Sequence, residues 1–442
     1  MDATDAVLRW IDKEELAALA LAMGNIDSPT GEEQAMGDFV NEWYQRQGFK
    51  TRLISAVRGR PNVIGMLRGT GGGCSLLFNA HMDTAVSAKN LWSRRDCNAP
   101  VFHSAWRDGD RLYGHGVVND KGPMACFMMA ASAIKRAGIE LQGDLLLTSV
   151  SGEIGWEPVD EFESAACLGQ SIGTRFVARH GAIADYVIVA ESTGSTFSWV
   201  EAGKLFVKLT VYGGPRIYTP FLKPTYAPET EPNAIVKMHR VFGALQAWSR
   251  KYQSEHVYTC PGGTVIPRTA FGAIRGGDPF FLDGSAELCA LYLDIRTLPG
   301  QDFLAIKAEL EQILRSLGID GEVEIIVSEP GYEAKNIEAL AEAVSRAHRV
   351  VFGDELTAAS GPYSSMWRDT NAYNEIGIPA LTYGPLTRFG PSSEGGEMDF
   401  SMSVDDLHKA AQVYAKVALD ICNRERLADV KCNGQRAVDR RV

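Results

Sequence analysis

"GDLLLTSVSGE", residues 143–153, decides how the rest of the chain is read. Its apolar run is nearly continuous and stops at a glycine and a carboxylate, Gly152 and Glu153. A strand with one wet face alternates apolar and polar residues, whereas a strand covered on both faces does not. "DYVIVAES" (185–192) has the same style and ends at Glu191. "SLLFNAHMDT" (75–84) is a further β-rich run, ending at His81 and Asp83.

Working outward, "GPMACFMMAASAIKRAG" (122–138) predicts a long helix stopped by glycine. Residues 6–23 read as one helix, and "SPTGEEQAMGDFVNEWYQRQG" (28–48) as another with a threonine cap. "FKTRLI" (49–54) and "NVIGMLRG" (62–69) read as strands. Strands alternating with helices give an α/β layered domain.

From about residue 198 the pattern changes. "LFVKLTVYG" (205–213) is a strand and "EPNAIVKMHRVFGALQAWSR" (231–250) a helix. "TAFGAIRGG" (269–277) and "AELCALYLDIRTLPG" (286–300) are strands, "DFLAIKAELEQILRSLG" (302–318) a helix and "GEVEIIVSEPG" (321–331) a strand. That order, βαββαβ, is ferredoxin-like. After about 329 the first style returns in "NIEALAEAVSRAHRVVFG" (336–353), "IPALTYGP" (378–385) and "VDDLHKAAQVYAKVALDIC" (404–422). The expected organisation is an α/β domain in two parts, 1–197 and 329–442, interrupted by an inserted unit at 198–328. A length of 442 residues suits two or three domains.

The net charge is -11, and no basic run precedes the terminal "RAVDRRV". Phosphate backbones want clustered lysine and arginine, so no nucleic-acid partner is expected. The acidic, amphipathic start does not read as a secretory leader, and no apolar stretch is long enough to span a bilayer. The eight cysteines are scattered, with no C-x-x-C pair. The expectation is a cytoplasmic protein with no membrane partner.

His81 and Asp83 lie two residues apart at a strand end, so both side chains leave the same face. A histidine with a carboxylate beside it suits a metal ligand and its orienting partner. Asp120 stands just before the long helix, and Glu153 and Glu191 end apolar strands. Each alone has a plainer reading, as a strand-end bond or a helix cap. Together they fall at the carboxyl ends of strands or in the loops that follow, where open α/β sheets hold ligands. A glutamate there needs solvent, an arginine or a metal.

With "HMDT", "LYGHGVVNDKGPMA", "SGEIG", "IVAEST", "LDIRTLPG" and "GIPALTYGP" in that order, the chain resembles the M20 metallopeptidases from about residue 25 to about 425. The resemblance implies a metallopeptidase-like catalytic domain with a lid that often dimerises. It also implies a two-metal site, usually zinc, bridged by an aspartate. By position, His81 and Glu191 would bind the second metal, with Asp83 orienting the histidine. Asp120 would bridge, followed by a cis peptide at Asp120–Lys121, and Arg296 would take a substrate carboxylate.

The chain departs from that pattern in three places. Gly152 occupies the position of the family's general base, leaving Glu153 in the place of a first-metal ligand. "RFGPSSEGGEMDFSMSVDDL" (388–407) lacks the first metal's histidine; the next is His408, and His115 and His180 are the nearby replacements. In "VYGGPRIYTPF" (211–221), Ile217 and Tyr218 stand where relatives often carry a lid histidine, and Tyr218 retains a hydroxyl donor.

The set His81, Asp120 and Glu191 is whole, so one divalent ion (manganese, zinc or cobalt) is expected, with a second less favoured. Glu153 then serves as general base. The expected activity is metal-dependent hydrolysis of a C–N bond in a small carboxylate by metal-activated water. The specific expectation, from resemblance to the family's deaminating branch, is conversion of 5-nitroanthranilate to 5-nitrosalicylate and ammonia. Arg296 and Tyr218 would contact that substrate, with Trp156 or Tyr383 bordering its ring. The alternatives are an N-acyl amino acid deacetylase or aminopeptidase, and an inactive relative that only binds. A homodimer through the lid is expected.

Overall fold

The computed structural model describes residues 3–85, 99–154, 159–160, 168–391 and 398–426. The first strands are β1 (Lys50–Val57), β2 (Arg60–Leu67), β3 (Leu76–His81), the short β4 (Trp106–Asp108) and β5 (Arg111–Tyr113), β6 (Leu145–Val150), β7 (Tyr186–Ala190) and β8 (Phe197–Ser198). The lid contributes β9 (Gly203–Tyr212), the small hairpin β10 (Tyr258–Cys260) and β11 (Gly263–Val265), then β12 (Arg268–Gly276), β13 (Leu288–Thr297) and β14 (Gly321–Glu329). The chain returns with β15 (Ala380–Tyr383), β16 (Thr387–Pro391) and β17 (Met398–Ser403).

The main sheet has the order β1-β2-β6-β3-β7-β15-β8. Its centre, β6-β3-β7-β15, is parallel. β1 and β2 at one edge and β8 at the other are antiparallel. Every residue of β3 and β6 is buried, as a strand covered on both faces requires.

The helices are α1 (Ala3–Leu8), α2 (Lys13–Gly24), α3 (Gln34–Arg46), α4 (Gly122–Arg136), α5 (Ile172–Arg179), α6 (Ala234–Glu255), α7 (Phe303–Ser316), α8 (Glu338–Phe352), α9 (Thr370–Glu375) and α10 (Val404–Ile421). Phe78 and Ala80 join the core formed with α2, α3, α4, α8 and α10. Leu77 points the other way, into a smaller core with Val177 of α5 and Tyr373 of α9. This is a mixed α/β sandwich of three layers, as the sequence pattern predicts.

The register fixes the level at which the site forms. His81 pairs with Val150, and Asn79 with Val189. The chain therefore leaves β3, β6 and β7 side by side, which brings His81, Glu153 and Glu191 to one edge.

The lid sheet runs β12-β13-β9-β14, antiparallel throughout, with the ferredoxin-like order that the βαββαβ pattern implies. Leu205, Val207, Leu209 and Val211 of β9 pack with Met238 of α6 and Leu310 of α7. The alternate residues of β9 and β13 face away from these helices, Lys204 and Arg296 among them. Asp160 is fastened to this second face by Lys208 at 2.6 Å and by the Tyr292 hydroxyl.

Three local expectations need correction. Residues 6–23 form two helices, because the Asp12 carboxylate accepts the Glu15 N–H at 2.7 Å and starts α2 afresh. Thr30 does not cap α3; its hydroxyl donates to Asp83 Oδ2 at 2.8 Å. The cis peptide lies one bond earlier than expected, at Asn119–Asp120. No helix among the described residues is long and apolar enough to cross a membrane.

Candidate metal centre

His81, Asp120 and Glu191 each offer a ligand atom, and the three atoms lie within 4.8 Å of one another. All three residues are buried. Two of them arrive on adjacent strands, while Asp120 comes from the turn ahead of α4. Among the described residues no other such group includes His115 or His180. His115 packs against Phe102 and Phe400, and His180 bonds the Phe176 carbonyl at the end of α5. Residues 392–397 of the segment expected to hold the first metal's histidine lie outside the described residues, as does Trp156.

The histidine is oriented by its own strand end. Nδ1 lies 2.9 Å from the Asp83 carbonyl, which can only accept, so the proton sits on Nδ1. Nε2 then faces Glu153 Oε2 at 3.8 Å and Glu191 Oε1 at 4.0 Å. Asp83 stands where it can orient the ring. Its carboxylate lies 3.5 Å from Nδ1 and accepts from Thr30 and from the backbone N–H groups of Glu153 and Ile154, both at 3.1 Å. Burial works against that negative charge, but the bonds from His81 and Thr30 outweigh it and hold the Asp83 carboxyl below its usual range.

The three remaining carboxylates repel one another. Burial, then Glu191 and Glu153, pushes Asp120 well above its usual range. Burial, with Glu191 and Asp369, pushes Glu153 up to about 8 against the pull of His81 and Lys204. Burial opposes protonation of His81, but Asp83, Glu153 and Asp120 overcome it and raise the imidazole well above its ordinary value. Both Asp120 oxygens are buried without a hydrogen-bond donor. Buried carboxylates without donors are costly. A divalent cation among them relieves both the repulsion and the missing bonds, so these residues fit a metal.

Sequence reasoning missed Arg368. It is buried, donates to Glu201 Oε2 at 3.0 Å, and its Nε lies 3.4 Å from Glu191 Oε2. It therefore braces one oxygen of Glu191 while the other faces His81. Asp369 was also missed; it ties Asn79 of β3 at 2.7 Å and Ser171 beneath the site. Neither residue belongs to a periodic pattern that would have singled it out.

The structure explains Gly152. Its φ is +68°, in the left-handed region. A Cβ there would lie 2.6 Å from Arg60 Nη2, 2.7 Å from Ile172 Cγ2 and 2.9 Å from the Leu168 carbonyl. The guanidinium is held by Glu33 in a buried pair at 2.6 Å. The space a side chain at 152 would need is thus filled. Gly152→Glu should lower stability by about 2–4 kcal/mol through backbone strain and overpacking, with no gain in turnover. Thermal melts and initial rates test this; a stable, faster variant would contradict it.

Other expected contacts are placed differently. Tyr383 is buried in the core, its hydroxyl 2.9 Å from His348 Nδ1, so it borders no substrate. Tyr218 is 52% exposed, with its ring near Phe221. It follows the Tyr212 end of β9, roughly 30 Å along the strand from Gly203. Arg296 lies on the lid face and bonds Asp294 at 2.9 and 3.2 Å. A cavity of about 660 Å³ opens beside Ser75, Asp144 and Asp185. Those residues precede β3, β6 and β7, so the cavity is at the end of the sheet away from the candidate ligands.

The model of peptidase family M20/M25/M40 matches residues 77–420. The N-formyl-4-amino-5-aminomethyl-2-methylpyrimidine deformylase of Bacillus subtilis (strain 168) is 25% identical over 447 residues, 94% of this chain and 96% of the relative. The acetylornithine deacetylase of Photorhabdus laumondii is 25% identical over 323 residues, 71% of this chain and 74% of the relative. In structure, a tripeptidase from Staphylococcus aureus superposes with a TM-score of 0.69 at 17% identity, over 94% of this chain and 100% of that one. A dinuclear metal-binding peptidase from Bacillus subtilis gives 0.58 at 14% identity, over 92% and 97%. Family match, fold and buried ligand group agree: the chain belongs to peptidase family M20/M25/M40 and is a hydrolase of carbon–nitrogen bonds.

Proposed function

We propose that this protein is a one-metal hydrolase that removes an amino group from an electron-poor aromatic carboxylate such as 5-nitroanthranilate. The observation that carries this reading is the filled space at Gly152 beside the one ligand group found among the described residues, His81, Asp120 and Glu191. The family's general base has no room there, and Glu153 is the remaining carboxylate beside His81 Nε2. Manganese, zinc or cobalt suits two carboxylates and one imidazole.

The chemistry such an ion supplies is Lewis acidity, which brings the pKa of water from roughly 15.7 toward about 7. Glu153 takes a proton from the attacking water and returns it to the departing nitrogen. A C–O bond forms, the C–N bond breaks and ammonia leaves. A ring bearing a nitro group holds the negative charge during attack, so the chain needs no dedicated oxyanion donor. That accounts for Tyr218 standing away from its own site. The substrate carboxylate is directed at Arg296 on the lid face. Two copies pair through the open edge strand β12, whose outer residues are mostly exposed; a monomer in light scattering would contradict this.

The names of the relatives favour a second reading, hydrolysis of an N-acyl group. Turnover of 5-nitroanthranilate against N-formyl and N-acetyl amines, with each metal supplied, separates the two. Ring deamination supports the proposal, and acyl hydrolysis without deamination overturns it. An inactive, purely binding relative would turn over neither.

A further inference from the structure

Lys204 is 3% exposed and sits at the start of β9, on the lid face turned toward the catalytic domain. Its Nζ donates to Gln170 Oε1 at 2.7 Å and stands 4.6 Å from the centre of the Trp367 ring. Among the described residues no carboxylate forms an ion pair with it. The nearby carboxylates on that face are engaged by arginines, Asp294 by Arg296 and Glu329, opposite Lys204 on β14, by Arg175.

Its neighbours are short of acceptors too. Gln170 Nε2 and Trp367 Nε1 are buried donors with no partner. An ammonium, an amide N–H and an indole N–H therefore gather in one place with acceptors missing. Arg296 is directly opposite Lys204 in the β9–β13 register. Like charges opposed across strands are unfavourable unless an anion joins them. Burial and Arg296 pull the Lys204 ammonium down to about 8, so it is still a cation at neutral pH. Glu153 lies close enough for each charge to act on the other.

We propose that Lys204, Gln170 and Trp367 form the receptor for the substrate's carboxylate, beside Glu153 and backed by Arg296. A carboxylate is planar and offers two oxygens with several acceptor positions, which complements this group of donors. Bound there, it neutralises a desolvated cation and places the rest of a small substrate toward the metal ligands. The proposal rests on the reading of the substrate as a small carboxylate.

The test is calorimetric binding to the metal-loaded protein, using probe pairs that differ only in the carboxylate. One pair is 5-nitrosalicylate and 4-nitrophenol; the other is N-acetylalanine and N-ethylacetamide. Wild type should prefer the carboxylated member of whichever pair fits. Lys204→Met should weaken that member roughly ten- to hundredfold and leave its partner unchanged. Trp367→Phe, which keeps the ring and loses the N–H, should weaken it several-fold. Melting curves establish that the variants are folded, and Trp367→Phe decides if Lys204→Met is not. If only the acyl pair binds, the aromatic reading falls and the receptor is judged on that pair. A wild type with no carboxylate preference, or folded variants that keep the full preference, would overturn the receptor.

Discussion

His81→Ala should leave the protein without bound metal and without turnover. Nε2 is the only nitrogen in the ligand group, and its direction is fixed by the bond from Nδ1 to the Asp83 carbonyl. Removing the ring leaves Asp120 and Glu191, two carboxylates that already repel each other. The loss should far exceed the roughly 10- to 100-fold that follows removal of an orienting partner, which is the effect expected for Asp83→Ala. Metal content by mass spectrometry and initial rates on the same preparations check both. A metal-replete, active His81→Ala protein would refute the ligand assignment.

Glu153→Gln should retain the fold and the metal and lose about 10²–10⁴-fold in turnover, the usual contribution of a carboxylate base. The amide matches the carboxylate in size but takes no proton at neutral pH. Glu153 lies outside the ligand group, so metal binding should survive. The metal-free variant should melt no lower than wild type, because one of three mutually repelling carboxylates is gone. Wild-type turnover would place the base elsewhere.

Much of this architecture was legible in the sequence. The central strands announce themselves because burial on both faces leaves β3, β6 and β7 with apolar runs that do not alternate with polar residues. The candidate ligands are visible because a carboxylate or histidine closing such a strand has few structural uses. The lid pattern gave its sheet order because βαββαβ admits few antiparallel arrangements.

What escaped is the meeting of residues distant in the chain. The absent side chain at 152 is explained by Glu33 and Arg60, more than ninety residues earlier. Arg368 braces Glu191 from the other side of the inserted lid. Gln170, Lys204 and Trp367 come from a loop, a lid strand and the returning chain, and periodicity relates none of them. Local competition was also hidden: Thr30 had two uses, a helix cap or Asp83, and the buried carboxylate took it. Asp12, an ordinary polar residue in a helical pattern, divides α1 from α2.

The central claim is a single divalent ion held by His81, Asp120 and Glu191. The number of metal ions per chain, measured by mass spectrometry after loading with manganese, zinc or cobalt and dialysis, tests it most directly. The account predicts one ion in wild type and in Glu153→Gln, and none in His81→Ala. Two ions per chain in wild type, or one retained in His81→Ala, would contradict it.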